Sequence, residues 1–243
     1  MVHLPITVPR PLHTIFRPVT TLLMGSSISS SSGAPGSPIG SNLAVPAPPT
    51  AKTAYFAAGC FWGVESAFRR RFPPLTSGLL DTRVGYIGGN TPSPTYRAVC
   101  TGVTGHAEAL EVLYDPAKLR YEELVEFFFR MHDPSDKGGQ GPDRGSQYRS
   151  AIFTNSANEE KVAREIRRRV EERWYKGREI ATEVARKGKW WGAEEYHQVY
   201  LDKNPNGYEC PSHFVRNFQT VLDTSIDGTD EVAAELPKPE SKV

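Results

Sequence analysis

The pentapeptide Gly-Cys-Phe-Trp-Gly, residues 59–63, separates two segments with different hydrophobic patterns. Before it, residues 53–58 form an apolar run that predicts a short buried strand. After it, residues 64–72 have the pattern of a helix. The sequence therefore predicts that Cys60 lies on a turn between a strand and a helix. Free N–H groups and the dipole at the start of that helix would favour a thiolate at Cys60.

Two large aromatic residues, Phe61 and Trp62, directly follow this cysteine. They predict an aromatic surface beside the sulfur and hence attack on a small, partly apolar substrate. The alternative is a buried, inert cysteine, because free cysteine is among the most buried residue types. The aromatic pair between two glycines favours the reactive thiol.

Composition divides the chain into three parts. Residues 1–50 are rich in Ser, Pro, Gly and Thr, and we expect a disordered extension there. Residues 51–223 suit one catalytic domain with a substantial core. Residues 224–243 are acidic and polar, and we expect a disordered tail. The net charge of +1 does not suggest nucleic acid, and no run approaches the about 18 apolar residues of a membrane span.

The sequence is compatible with two cellular compartments. The first 50 residues lack acidic side chains, a bias shared by mitochondrial transit peptides, whereas their prolines weaken the amphipathic helix that such peptides form. We expect a cytoplasmic protein, with mitochondrial import as the alternative. Three cysteines do not form a disulfide framework and indicate reduced thiols with a catalytic role. We expect a monomer.

Strands and helices alternate along the remaining sequence. The patterns predict strands at residues 53–58, 79–87, 107–114, 150–154 and 180–184. They predict helices at residues 64–72, 121–131, 158–174 and 193–201, with a glycine-rich loop at residues 133–145. This order predicts an α+β fold: a single two-layer domain in which helices pack on a small mixed sheet, related to a ferredoxin-like core.

Several polar residues are candidates for chemistry. Glu108 lies on an otherwise apolar strand, where burial would keep its carboxyl neutral and make it a general acid; the alternative is a surface residue at a strand start. Tyr86 and Tyr148 lie among glycines and either face a pocket or pack in the core. Asp143 is a candidate for a turn residue.

The remaining candidates are weaker. The segment around His197 lacks the second histidine of a metal-binding helix, and we expect neither a metal nor a cofactor. A dyad of Cys60 and His197 is conceivable, but no cysteine-protease signature is present. Cys210 follows a turn signal and is predicted to lie exposed on a flexible arm. Cys100 is interpreted as structural.

Five motifs together resemble the A-type peptide methionine sulfoxide reductases. They follow the family's order, and they are Gly-Cys-Phe-Trp-Gly (59–63), Gly-Tyr-Ile-Gly-Gly (85–89), Thr-Gly-His-Ala-Glu (104–108), Asp-Arg-Gly-Ser-Gln-Tyr-Arg-Ser (143–150) and Tyr-His-Gln-Val-Tyr-Leu (196–201). The resemblance implies that the Cys60 thiolate attacks the sulfoxide sulfur, that Glu108 protonates the oxygen, and that Tyr86 and Tyr148 hydrogen-bond to it.

The resemblance also implies a substrate site and a catalytic cycle. Phe61, Trp62 and Asp143 would bind methionine S-sulfoxide, free or in oxidised proteins and peptides. Cys60 would become a sulfenic acid, then a disulfide that thioredoxin reduces. Some members of the family carry two cysteines in a glycine-rich tail, whereas only Cys210 follows the domain here. We therefore expect Cys210 to be the resolving thiol, with Cys100 as the rival.

Two other classes of function remain as alternatives. A thiol peroxidase would consume peroxide and would not need Glu108. A binding module would recognise oxidised methionine without turnover and would need neither Glu108 nor Cys210.

Overall fold

A computed structural model describes residues 46–74 and 76–222 of the chain. The predicted extension over residues 1–50 therefore lies almost wholly outside the described residues, and the predicted tail over residues 224–243 lies entirely outside them. No helix in the described part is both long and apolar enough to cross a membrane.

The domain has strands and helices in alternation. Its strands are β1 (Lys52–Ala58), β2 (Leu79–Ile87), β3 (Ala107–Tyr114), β4 (Gly139–Gln140), β5 (Asp143–Arg144), β6 (Ser150–Thr154), β7 (Glu183–Arg186) and β8 (Trp191–Gly192). Its α-helices are α1 (Phe61–Arg71), α2 (Tyr96–Cys100), α3 (Tyr121–Met131), α4 (Ala157–Arg173) and α5 (Tyr200–Lys203).

Six strands form one mixed sheet in the order β7-β6-β1-β3-β2-β8. Strand β1 lies between β3 and β6 and is antiparallel to both. Strands β2 and β3 are also antiparallel, and the β6–β7 pair is parallel. The α+β fold with a mixed sheet, predicted from the sequence, is confirmed.

The alternation of β1 divides the core between the two faces of the sheet. Ala54 and Phe56 point to the face covered by α1, α3 and α4, whereas Tyr55 and Ala57 belong to a smaller apolar cluster on the opposite face. The ring of Phe56 stacks on that of Phe68 in α1 at 5.1 Å between centroids. This packing joins the sheet to the helix that begins at the Cys60 turn.

Truncating Phe56 tests this core. Phe56 is fully buried, so we expect Phe56→Ala to lower the free energy of unfolding by about 3–5 kcal/mol. Urea denaturation measures the loss. Val103→Ala is the control, because Val103 is 84% exposed and its truncation should change stability by less than about 0.5 kcal/mol. Similar values for the two variants would contradict the assignment of Phe56 to the core.

Several sequence-based limits are wrong, and some short elements are missed. The strand predicted at residues 180–184 is observed as β7, Glu183–Arg186, because its limits are set by pairing with β6. The helix predicted at residues 193–201 is a 3₁₀ turn, Glu195–His197, followed by α5; Val199 interrupts it with a left-handed φ of 47°. The glycine-rich loop contains the small hairpin β4–β5, and the short elements α2 and β8 were not predicted.

Candidate active site

Cys60 lies on the predicted strand-to-helix turn. It is the N-cap residue of α1 and directly follows β1 and Gly59. Gly59 has a φ of 91°, and an ideal Cβ there would lie 2.8 Å from Cβ of Gln140. Only glycine therefore fits this turn without strain and without collision. Cys60 itself is 6% exposed.

The environment of Cys60 opposes as well as favours the thiolate. Burial raises the pKa of the Cys60 thiol, and the Glu108 carboxylate raises it further. The backbone N–H groups of Trp62 and Gly63, at the helix start, lower this pKa. The helix start thus acts as the sequence predicted, but burial outweighs it, so the thiol is the stable form without substrate.

Glu108 lies on β3 and is 1% exposed, so the alternative of a surface residue is wrong. Its Oε2 accepts a hydrogen bond of 3.1 Å from the backbone N–H of Phe61, while its Oε1 is buried without a partner. Burial raises the pKa of Glu108 to about 8. The carboxyl is therefore mostly neutral at pH 7 and can donate a proton.

Two tyrosines lie within electrostatic range of this carboxyl. Tyr86 is fully buried, and its hydroxyl donates to Oε2 of Glu194 at 2.7 Å rather than facing an open site. The other carboxylate oxygen of Glu194 accepts from the backbone N–H of Tyr96 at 2.9 Å. Tyr148 is half-buried; burial raises its pKa, as do the nearby Glu108, Tyr96 and Cys60. The phenol of Tyr148 therefore lies close to the reacting groups.

The aromatic pair after Cys60 is held in place by residues from the C-terminal part of the domain. Phe61 is 1% exposed, and its ring lies 5.1 Å from that of His197. The Trp62 indole stacks on Tyr200 at 3.8 Å and donates through Nε1 to Nδ1 of His197 at 3.1 Å. His197 therefore orients Trp62, because its Nδ1 accepts a hydrogen bond from the indole and not from Cys60.

Asp143 contacts the C-terminal arm, which we define as residues 207–216. Its Oδ1 accepts from the hydroxyl of Tyr208 at 2.9 Å, and its Oδ2 is buried without a partner. Its charge raises the pKa of Cys60 and of Cys210. Asp143 therefore acts electrostatically on both thiols.

The environments of the other two cysteines differ from those predicted. Cys210 is 1% exposed, and its thiol donates to the carbonyl of Gln140 at 3.5 Å, so the predicted exposure of this thiol is wrong. Cys100 is exposed at the end of α2 and does not belong to the core, so its structural interpretation is also wrong. All three cysteines lie in the described residues and are free.

Sequence reasoning missed several residues of this site. Glu194, Tyr96 and Tyr200 were not assigned any role, and His197 was considered only as a metal ligand or a base. Tyr200 belongs to the last of the five motifs, and Glu194 lies just before it. This motif is the only sequence signal that could have identified the two residues. Within residues 46–74 and 76–222, no cluster of His, Cys, Asp and Glu is suited to hold a metal ion.

The arrangement combines a thiol, a neutral carboxyl and an aromatic surface. The thiol lies at a helix start that stabilises negative charge, and the carboxyl has a free oxygen for proton transfer. The indole of Trp62, which is only partly buried, offers an apolar surface to a small group. Such a site can carry out nucleophilic attack coupled to protonation of a leaving oxygen.

Comparisons with known proteins show the family of this chain. A family model described as peptide methionine sulfoxide reductase matches residues 52–227. A relative from Schizosaccharomyces pombe, named "Probable peptide methionine sulfoxide reductase", is 49% identical over 163 residues, which cover 67% of this chain and 95% of the relative. A relative from Methanothermobacter thermautotrophicus, "Peptide methionine sulfoxide reductase MsrA", is 50% identical over 63% of this chain and 87% of its own length.

Solved structures of such reductases have a similar fold. Mxr1 from Saccharomyces cerevisiae in reduced form has a TM-score of 0.65 and 42% identity, over 70% of this chain and 95% of that one. Methionine sulfoxide reductase A of Corynebacterium diphtheriae has a TM-score of 0.59 and 37% identity, over 73% of this chain and 83% of that one. The chain belongs to the peptide methionine sulfoxide reductase family, and it is an oxidoreductase that reduces methionine sulfoxide.

Proposed function

We propose that this chain reduces the S epimer of methionine sulfoxide, free and in proteins, by nucleophilic attack of Cys60. In molecules whose Glu108 is ionised, the thiol proton of Cys60 passes to the Glu108 carboxylate, and the thiolate attacks the sulfoxide sulfur to form an S–S bond. As the S–O bond breaks, Glu108 protonates the oxygen. The oxygen leaves as hydroxide and adds to the Cys60 sulfur as the S–S bond breaks. Methionine is thereby released with two electrons gained, and Cys60, which has lost two, ends as a sulfenic acid.

The position of Glu108 is the observation that carries this proposal. Its carboxyl is buried beside Cys60, is fixed by the Phe61 N–H through one oxygen, and leaves the other oxygen free. Negative charge develops on the sulfoxide oxygen as its bond to sulfur weakens, so a neutral carboxyl stabilises the transition state more than the substrate. A thiol peroxidase would not need this acid.

The tyrosines and the aromatic pair supply substrate contacts in this proposal. We assign the hydroxyl of Tyr148 to the sulfoxide oxygen, since it lies near Glu108 and Cys60. The hydroxyl of Tyr86 donates its hydrogen bond to Glu194. Tyr86 would therefore hydrogen-bond to the sulfoxide oxygen only if it broke this bond when the substrate binds. Phe61 and Trp62 would hold the S-methyl group, and Asp143 would bind the substrate from the side of the arm.

Cys210 is our choice for the resolving thiol. It lies on the arm that packs against the Cys60 turn, and the backbone of Gln140 contacts it while the Gln140 side chain packs against Gly59. Its thiol displaces the hydroxyl of the Cys60 sulfenic acid, which leaves as water, and a disulfide forms. We propose thioredoxin as the dithiol that reduces this disulfide, since another thiol pair must accept the oxidation.

A thioredoxin-coupled assay with separate S and R sulfoxides tests the proposal. We expect wild-type protein to consume NADPH with the S epimer only. Cys210→Ser should release about one equivalent of methionine per chain and then stop, because the Cys60 sulfenic acid is not resolved. No turnover of either epimer by the wild type would reject the mechanism. Sustained turnover by Cys210→Ser would reject Cys210 as the resolving thiol and leave Cys100 as the rival.

A further inference from the structure

Cys210 and His213 lie at the two ends of one tight turn. The backbone N–H of His213 donates to the carbonyl of Cys210 at 3.0 Å, which closes the four-residue turn over residues 210–213. Pro211 occupies the second position of this turn, where its fixed φ is favourable. The position of the His213 backbone therefore determines the position of the Cys210 backbone.

The side chain of His213 is anchored to the turn that carries Cys60. Its Nε2 donates to the carbonyl of Ala58, the last residue of β1, at 2.6 Å. His213 is 7% exposed. Because burial lowers the pKa of His213, the ring is neutral, with its single N–H on Nε2 and an unpartnered Nδ1.

The two glycines that flank Cys60 in the motif make room for this ring. An ideal Cβ on Gly63 would lie 2.2 Å from His213 Nδ1, and one on Gly59 would lie 3.2 Å from His213 Nε2. Gly63 lies within α1 and has no left-handed backbone that would require glycine. The close approach of the imidazole is thus the physical reason for a glycine at position 63.

We propose that His213 is a positioning residue for disulfide formation: its hydrogen bond to Ala58 holds the arm on the Cys60 turn, so that Cys210 meets the sulfenic acid. This inference rests on the proposed role of Cys210 as the resolving thiol. In that step the Cys210 sulfur bonds to the Cys60 sulfur, the Cys60 S–O bond breaks, and the thiol proton and the hydroxyl leave as water. His213 acts through position and does not touch the reacting atoms.

Two other side-chain contacts of the arm are more exposed than that of His213. Glu209 pairs with Arg70 at 2.6 Å, but their side chains are 41% and 57% exposed. Tyr208, which donates to Asp143, is 45% exposed. Exposed ion pairs contribute little to stability, whereas the contact of His213 is excluded from water. Of these three side-chain contacts, that of the buried histidine should therefore contribute most to the docking of the arm.

Single-turnover kinetics separate this role from a general structural one. Rapid-quench experiments with excess S-sulfoxide would follow methionine release and Cys60–Cys210 disulfide formation separately. For His213→Leu, which fills space without a donor, we expect methionine release within about twofold of wild type and disulfide formation at least about tenfold slower. His213→Gln restores an N–H donor and should recover most of the rate of disulfide formation. Arg70→Ala, which removes the exposed anchor, is the matched control and should leave both rates within about twofold.

The outcomes distinguish this inference from the proposed function. Disulfide formation at the wild-type rate in His213→Leu, while Cys210→Ser stalls, would overturn the role of His213 alone. The role of His213 would also be overturned if His213→Leu slowed methionine release as much as disulfide formation. It would be overturned as well if His213→Gln formed the disulfide no faster than His213→Leu. Sustained turnover by Cys210→Ser would reject the resolving role of Cys210 and, with it, this inference.

Discussion

Replacing Cys60 by serine is expected to lower kcat/KM for methionine S-sulfoxide by at least about 10⁴-fold. A serine hydroxyl is a weak nucleophile unless a neighbouring base activates it. His197 does not offer that base: its Nδ1 accepts from the Trp62 indole, so the neutral ring carries its proton on Nε2 and has no free acceptor. The serine oxygen also cannot be oxidised in place of the cysteine sulfur, so no sulfenic acid can form. The thioredoxin-coupled assay measures the loss.

Cys100→Ser is the matched control for this substitution. Cys100 is exposed at the end of α2, so its replacement should leave kcat/KM within about twofold and the fold intact. Equal thermal melting of wild type and Cys60→Ser would show that the site, not stability, is responsible. Retention of more than a few per cent of the activity by Cys60→Ser would contradict nucleophilic attack by Cys60.

Glu108→Gln is expected to lower kcat and kcat/KM together by about 10²- to 10⁴-fold. Glutamine keeps the shape of the side chain and an oxygen that can accept the Phe61 N–H. It cannot transfer a proton to the sulfoxide oxygen. Because that transfer occurs only in the transition state, substrate binding should be nearly unchanged. Steady-state kinetics with the S epimer would measure both parameters.

The pH dependence gives a second test of Glu108. The reactive form, a Cys60 thiolate with a neutral Glu108, holds one proton, as does its tautomer, the thiol with a carboxylate. Glu108 loses its proton first, with a pKa of about 8, since the pKa of Cys60 is raised further. We therefore expect wild-type kcat/KM to rise with pH up to about 8. If kcat/KM of Glu108→Gln rises with pH over the same range, a group other than Glu108 causes the rise.

Local pattern was sufficient for much of the fold. The strands at residues 79–87, 107–114 and 150–154 and the helix at residues 121–131 were predicted with their observed limits, because the alternation and the helical period are visible within each segment. The turn at Cys60 followed from the change between these two patterns. In contrast, β7 and β8 depend on pairing with distant strands, which no local window contains.

The candidate site was predictable in its motifs but not in its supporting contacts. Cys60, Glu108 and the aromatic pair each lie in a short motif that stands out in the sequence. The hydrogen bond from Tyr86 to Glu194 joins residues 108 positions apart, and that from His213 to Ala58 joins residues 155 apart. The burial of Cys210 follows from such long-range contacts, which is why the sequence suggested an exposed arm.

Trapping the oxidised sulfur tests the central claim most directly. The Cys210→Ser variant would be mixed with one equivalent of methionine S-sulfoxide in the presence of dimedone, which reacts with sulfenic acids, and the adduct would be mapped by mass spectrometry. We predict one adduct per chain, on Cys60, in step with the release of one methionine. Release of methionine with the adduct on Cys100, or with no change at Cys60, would contradict the account.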